Sequence, residues 1–544
     1  MSRRILFLVL VPVTLALAQQ GARYLIIATD QLAAAIQPLA DWKHASGMQC
    51  KVARTSETGS DTTSIKNYIR NAYNTWPVKP EYVLLVGSPS SLPARIYTIQ
   101  HVGTYASDNI YGDVTGDFRM DIPVGRFPAK SPTQLEVMVA KTLAYETKPE
   151  LSDSNWMRRM TTICRDLGDD DAWVYWNDVR NAINLARNAG FVGFDSLASS
   201  LGDTAPDVVA SINNGTGMVL YRGTATNNWY KPFAVDPGQT ANGRKLPIIL
   251  SITCETMTLT PNESMVGEAW LKTGTSSNPR GAVAFFGNTH SGSNVAQVRS
   301  AVARGFFTGL FTENKYKLGH AMIRAKEQLY QEYPSYTADY RGFNLLGDPD
   351  LGIWTATPRI LEVSHPQEIL PQPQQIQVTV RSKLTPIANA LVCASMGSAV
   401  YTYGYTNSSG EVTLSVSPSD TGSMRLVVTG QNCYPYDGTI HVVTQVGLAE
   451  HPPVPACSPK LSATPSAFLY ETRLSWPPVR DAGLTVAIHD ACGRLVRTLS
   501  GSGSSAVWDG CDQDGRRLGP GVYVCTLLAQ STTSLSRTSV TKLK

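Results

Sequence analysis

Short apolar runs recur along the first two thirds of the chain and limit its fold more than any other feature. "RYLIIA" (23–28), "YVLLVG" (82–87), "GMVLY" (217–221), "LPIILSITC" (246–254) and "GAVAFFG" (281–287) are apolar nearly throughout. Such runs read as strands buried on both faces, the condition of a parallel sheet covered by helices. Helix-like segments lie between them. Leu32, Ile36 and Leu39 share one face of 31–46, which Gly47 closes, and 64–76, 132–146 and 173–189 follow. The β-α-β-α-β alternation with short connections predicts an α/β fold.

The 544 residues suit three or four domains. An αβ subdomain is expected over 22–150 and a second αβ domain over 151–357, with helices near 295–312 and 320–332 and a close at "NLLGDPD". From Pro358 the period shortens to alternating runs such as "QIQVTV" and "EVTLSV", separated by Pro, Gly, Ser and Asn. That is a β-sandwich pattern over 358–446. "HPPVP" marks a Pro-rich linker over 447–460, and a last β domain covers 461–544. A net charge of +4 is small for this length and gives no argument for nucleic acid.

Arg3 and Arg4 precede an apolar stretch that ends in "ALA" at 16–18. The stretch is about 14 residues, short of the roughly 20 a spanning helix needs, so 1–18 reads as a cleaved signal peptide. The expected location is secreted or cell-surface. Five of the nine cysteines fall at or after residue 433. An exported chain can pair Cys433, Cys457, Cys492, Cys511 and Cys525, with a connectivity the sequence does not give.

The chemistry concentrates at strand ends, where α/β proteins build their sites. Cys254 closes one run, and Arg222-Gly223-Thr224-Ala225 follows the run upstream of it. A thiol there is either a nucleophile or a packed cysteine. A nucleophile needs a neighbouring cation or helix N-terminus to favour the thiolate. His290 follows the next strand and is the candidate base, an exposed loop histidine being the plainer reading; His320 is a weaker candidate. Glu268 reads as a solvated helix residue or an arginine partner. Asp166, Asp169, Asp170 and Asp171 crowd another strand end and suit Ca²⁺, a basic substrate side chain or plain solvation. Asp113, Asp117 and Asp121 lie in a turn of Ca²⁺-like composition that lacks the closing Glu of an EF-hand loop. A structural Ca²⁺ is the one cofactor expectation.

The chain resembles the gingipain-type cysteine peptidases of caspase-like fold over about 22–446. The resemblance rests on "RYLIIATDQLAAAIQPLADWKHASG", "YVLLVGSPSSLP", "SDNIYGDVTGDFRMDIPVGRFPA", "NLLGDPDLGIW" and the paired strand ends. It implies two caspase-like parallel αβ subdomains followed by two β-sandwich (Ig-like) domains, Cys254 in "SITCETM" as the nucleophile, and a protein or peptide substrate. It also implies a Gly-His-Gly string where this chain has Gly223-Thr224-Ala225, so threonine takes the histidine's place. The arginine-specific members hold the substrate side chain with an aspartate from a loop comparable to that of Asp169, Asp170 and Asp171. An endopeptidase with His290 as base and a non-enzymatic surface protein are therefore both open. "VAIHDACGRLVRTLSG", "AVWDGCDQDGRRLGPGVYVCTLLA" and "VTKLK" resemble the immunoglobulin-like domain of flagellar hook-capping type, which implies a tail for secretion or surface attachment.

Overall fold

The computed structural model describes residues 21–99, 103–291, 295–445, 460–477, 484–500, 504–528 and 534–544. The expected signal peptide, most of the Pro-rich linker and Cys457 lie outside them. The chain divides into two compact units, 1–444 and 445–544.

The apolar runs form strands as expected: β1 (Tyr24–Ala28), β2 (Cys50–Arg54), β3 (Tyr82–Val86), β4 (Val124–Phe127), β5 (Arg159–Cys164), β6 (Gly193–Ala198), β7 (Met218–Arg222), β8 (Ile248–Ser251), β9 (Ala284–Asn288) and β10 (Phe343–Leu346). Both αβ blocks contribute to one ten-stranded sheet, in the order β2-β1-β3-β4-β10-β9-β8-β7-β5-β6. Side chains alternate between its faces. Leu25, Ile27, Val83 and Leu85 enter one core, and Tyr24, Ile26, Leu84 and Val86 enter the other.

Three departures from the sequence reading have physical causes. The first helix is Gln37–Ala45, not 31–46, because Pro38 has no N–H and sits only in a first turn. The edge strand β6 and the hairpin Arg95–Ile99/Gly103–Ser107 have no apolar run to announce them. β10 runs antiparallel to β9. The chain leaves β9, goes out along Ala296–Phe311 and comes back along Leu318–Glu332, so the next strand must reverse.

Within the first unit, residues 359–442 form a β-sandwich of a four-stranded and a five-stranded sheet around Ile376, Val378, Val392, Leu414, Leu426 and Ile440. The second unit packs a three-stranded and a five-stranded sheet around Leu474, Val486, Trp508 and Leu527. Cys433, Cys492, Cys511 and Cys525 are all free thiols, against the disulfide expectation. Cys433 and Cys525 are buried in separate apolar cores, Cys492 sits in a turn, and Cys511 forms an isolated β-bridge with Arg517. Among the described residues no helix is long and apolar enough to cross a membrane.

Candidate active site

β7 lies between β5 and β8, with Arg222 opposite Cys164 and Tyr221 opposite Ser251. Arg165, Thr224 and Cys254 therefore leave three adjacent parallel strands at one edge. The turn after β7 demands glycine: at Gly223, φ is +153°, and a Cβ would lie 2.6 Å from the Arg165 Cβ. Tyr221 donates its hydroxyl to the Thr224 carbonyl at 2.7 Å and stacks on Trp229 with centroids 4.6 Å apart. Trp229 donates to Ser251 at 2.9 Å, and Thr253 donates its hydroxyl to the Gly223 carbonyl. The turn at 223–224 and the strand end before Cys254 are thus tied to each other.

Arg222 fixes the same region from below. Its buried guanidinium donates to Asp178 at 2.8 Å, to the Ile252 carbonyl, to the Ala296 carbonyl at 3.1 Å and to Ser300 at 3.2 Å. Sequence reasoning missed this network, although an arginine closing the apolar run "MVLYR" was its one visible sign.

Cys254 is half-buried and its thiol is not tied to another sulfur. The loop after it is anchored on both sides: Asn227 N–H reaches the Glu255 carbonyl at 2.8 Å, and Thr256 N–H reaches the Asn288 carbonyl at 3.2 Å. The backbone N–H groups of Cys254 and Glu255 have no hydrogen-bond acceptor among the described residues. Burial, with the charge of Glu263 added, pushes the Glu255 carboxyl above the usual range. Glu268 is neither solvated nor paired with arginine. It is buried, accepts from Thr258 N–H at 3.1 Å and Met265 N–H at 2.7 Å, and caps the helix Val266–Lys272 that closes the loop. Burial pushes its carboxyl up, against those backbone donors.

His290 is not the expected exposed histidine; it is 4% exposed. Its ring packs on Tyr105 at 5.0 Å and lies 3.7 Å from Asp339, which also faces Arg299 at 3.8 Å. Thr289 bonds to the Gly342 carbonyl beside β10. Of these neighbours Asp339 and Gly342 precede β10, whereas Arg299 is on the helix whose Ala296 and Ser300 bond to Arg222 at the end of β7, and the loop after Cys254 bonds to Asn288 at the end of β9. Burial, helped by the Arg299 charge and opposed by Asp339, lowers the His290 pKa. His320 packs on Tyr82 at the start of β3 and has no described contact with the Cys254 loop.

The carboxylates read as ligands mostly serve the fold. Asp166 accepts from Ser199, Ser200 and Trp176. Asp169 pairs with Arg165 at 3.3 Å, Asp170 is exposed, and Asp171 opens the helix Ala172–Asn188. Asp113 accepts from Gly116 N–H and faces Lys66, Asp117 accepts from Arg119 N–H, and Asp121 accepts from Val114 and Thr115 N–H. The three point to separate partners, and no group of three metal-ligating side chains occurs among the described residues.

The model of peptidase family C25 matches residues 17–354, more than half of the chain. The chain belongs to peptidase family C25. Gingipain R2 of Porphyromonas gingivalis (strain W83) is 22% identical over 371 residues, covering 66% of this chain and 50% of that protein. Lys-gingipain of Porphyromonas gingivalis (strain ATCC 33277) is 23% identical over 480 residues, covering 81% of this chain and 26% of that protein. This C25 chain thus spans half or less of these relatives. The crystal structure of the Arg-specific cysteine proteinase gingipain R superposes with a TM-score of 0.69 at 19% identity, over 78% of this chain and 98% of that one. The complex of RgpB pro- and mature domains gives 0.69 at 20% identity, over 77% and 100%. The fold of the first unit is the gingipain fold, with its cysteine-peptidase α/β sheet and following β-sandwich.

Proposed function

We propose that this C25 protein is an exported, gingipain-type pseudopeptidase: it receives a peptide segment at the Cys254 cleft and lacks the base for efficient turnover. The observation that carries the reading is the pair of residues around the thiol. Thr224 stands where the family resemblance expects histidine, and the ring of His290 is buried against Tyr105, 3.7 Å from Asp339, with neither ring nitrogen hydrogen-bonded among the described residues. A threonine hydroxyl neither takes a proton near neutral pH nor becomes a cation. Its presence forgoes the ~10²–10⁴-fold that general acid–base help supplies. The thiol and two unspent backbone N–H groups remain, able to hold a carbonyl oxygen.

The free, half-buried Cys254 favours a second reading, a slow endopeptidase. There the Cys254 thiol gives its proton to solvent, its sulfur bonds to the substrate carbonyl carbon, the peptide C–N bond breaks as the leaving amine takes a proton from solvent, and water then hydrolyses the thioester to the carboxylic acid and the free thiol. Protein or peptide is the ligand in both readings, and the C-terminal β domain provides surface attachment. Turnover of a mixed peptide library by the full chain beside Cys254→Ala separates the two. The pseudopeptidase reading expects equal, background rates and peptide binding in both proteins. Turnover lost in Cys254→Ala would establish the endopeptidase.

A further inference from the structure

On the β5 and β6 side of Cys254 the sheet edge carries large apolar side chains that the fold leaves in solvent. Leu167 is 64% exposed, Trp173 60%, Leu201 68% and Tyr230 44%. Polar contacts beneath hold them in place. Asp166 takes hydrogen bonds from Ser199 and Ser200 after β6 and from Trp176 in the helix Ala172–Asn188, and Leu167 N–H reaches the Ser199 hydroxyl at 2.8 Å. These bonds bring Leu167 and Leu201 to neighbouring loops. Trp173 is one turn before Trp176 on the same helix face, above the same loop. Tyr230 continues the row towards the thiol: its N–H reaches the Thr224 carbonyl at 3.4 Å, and the Arg165 guanidinium lies 5.9 Å from its ring.

The row crosses the ends of β6, β5 and β7 and stops at β8, where Cys254 emerges. Three strand spacings are about 14 Å, the length of about four extended residues. Of the charges along the row, Arg165 pairs with Asp169 and Asp166 is saturated within the fold, while Asp170 and Lys231, one of each sign, are exposed without an ion pair among the described residues. A run of exposed apolar side chains leading to the strand end that carries a candidate nucleophile marks a ligand surface.

We infer that this row is the recognition surface of the Cys254 cleft and selects an extended peptide with bulky apolar side chains. The inference rests on the peptide-binding reading above and names its ligand class. The test uses the full chain carrying Cys254→Ala and three fluorescent decapeptides on one Gly/Ser frame, bearing Leu and Phe, Glu and Asp, or Lys and Arg. Anisotropy should show the Leu/Phe peptide binding about tenfold or more tighter than the other two. Trp173→Ala and Leu167→Ser should remove that preference while the unfolding midpoint stays put, because both side chains are exposed. Equal binding of all three peptides, preference for a charged one, or an unchanged preference in Trp173→Ala would overturn the inference and leave the peptide cleft standing. Absence of binding by all three would remove the peptide cleft and this inference together.

Discussion

Asp166 accepts four hydrogen bonds, from the Ser199 hydroxyl, the Ser200 N–H and hydroxyl, and the Trp176 indole. Burial works against its charge, but those bonds outweigh it and hold the carboxyl down at about 2. Its folded pKa is below the unfolded one, so its contribution to stability is complete above pH ~4 and is lost as the pH falls towards 2. Asp166→Asn should lower the urea midpoint at pH 6 and lose less of it than the parent between pH 6 and pH 3. An equal loss in both proteins would place the acid sensitivity elsewhere. Glu268 accepts from two backbone N–H groups, and leaving those donors without their carboxylate in Glu268→Ala should cost about 1–2 kcal/mol in urea unfolding. Neither role was legible in the sequence. A carboxylate looks the same in sequence whether its partners are a ligand or the protein, and only the fold brings Ser199 and Ser200 to Asp166. Cys254 was legible because a thiol at the end of an apolar run has few places to go, whereas the burial of His290 depends on Tyr105, Arg299 and Asp339, which only the fold assembles.

At the scale of elements, strands with continuous apolar runs were readable and polar ones were not. β7 and β8 are buried along their whole length, whereas β6 is an edge strand that is half-buried or exposed at every residue but the last. The direction of β10 follows from the two helices before it, a property of the path and not of its residues. Arg222 shows how the elements around the thiol are joined, since one guanidinium links β7, the helix Ala172–Asn188, the strand end at Ile252 and the helix Ala296–Phe311. Arg222→Met leaves Asp178 as an unpaired buried carboxylate and should cost about 3–5 kcal/mol. Adding Asp178→Leu should recover most of that loss, because an uncompensated buried charge is worse than none. Urea unfolding of the two variants measures both effects, and a double variant no better than the single one would show that the network acts through geometry instead.

For the whole molecule, the β-rich last third was legible from its alternating runs, while the merging of two αβ blocks into one ten-stranded sheet was not, since strand order crosses between blocks. The second unit has its own core around Trp508, Leu474, Val486 and Leu527. A fragment of residues 460–544 should therefore unfold cooperatively when expressed alone, as followed by tryptophan fluorescence; a non-cooperative change would mean that this core does not suffice. The account of function for the molecule turns on a thiol that keeps its place while its base is absent. The direct measurement is Cys254-dependent peptide hydrolysis in Thr224→His beside the unaltered chain. Supplying an imidazole at that turn should raise turnover by ~10²-fold, within the range of general acid–base catalysis. Rapid Cys254-dependent turnover in the unaltered chain, or no gain in Thr224→His, would contradict it.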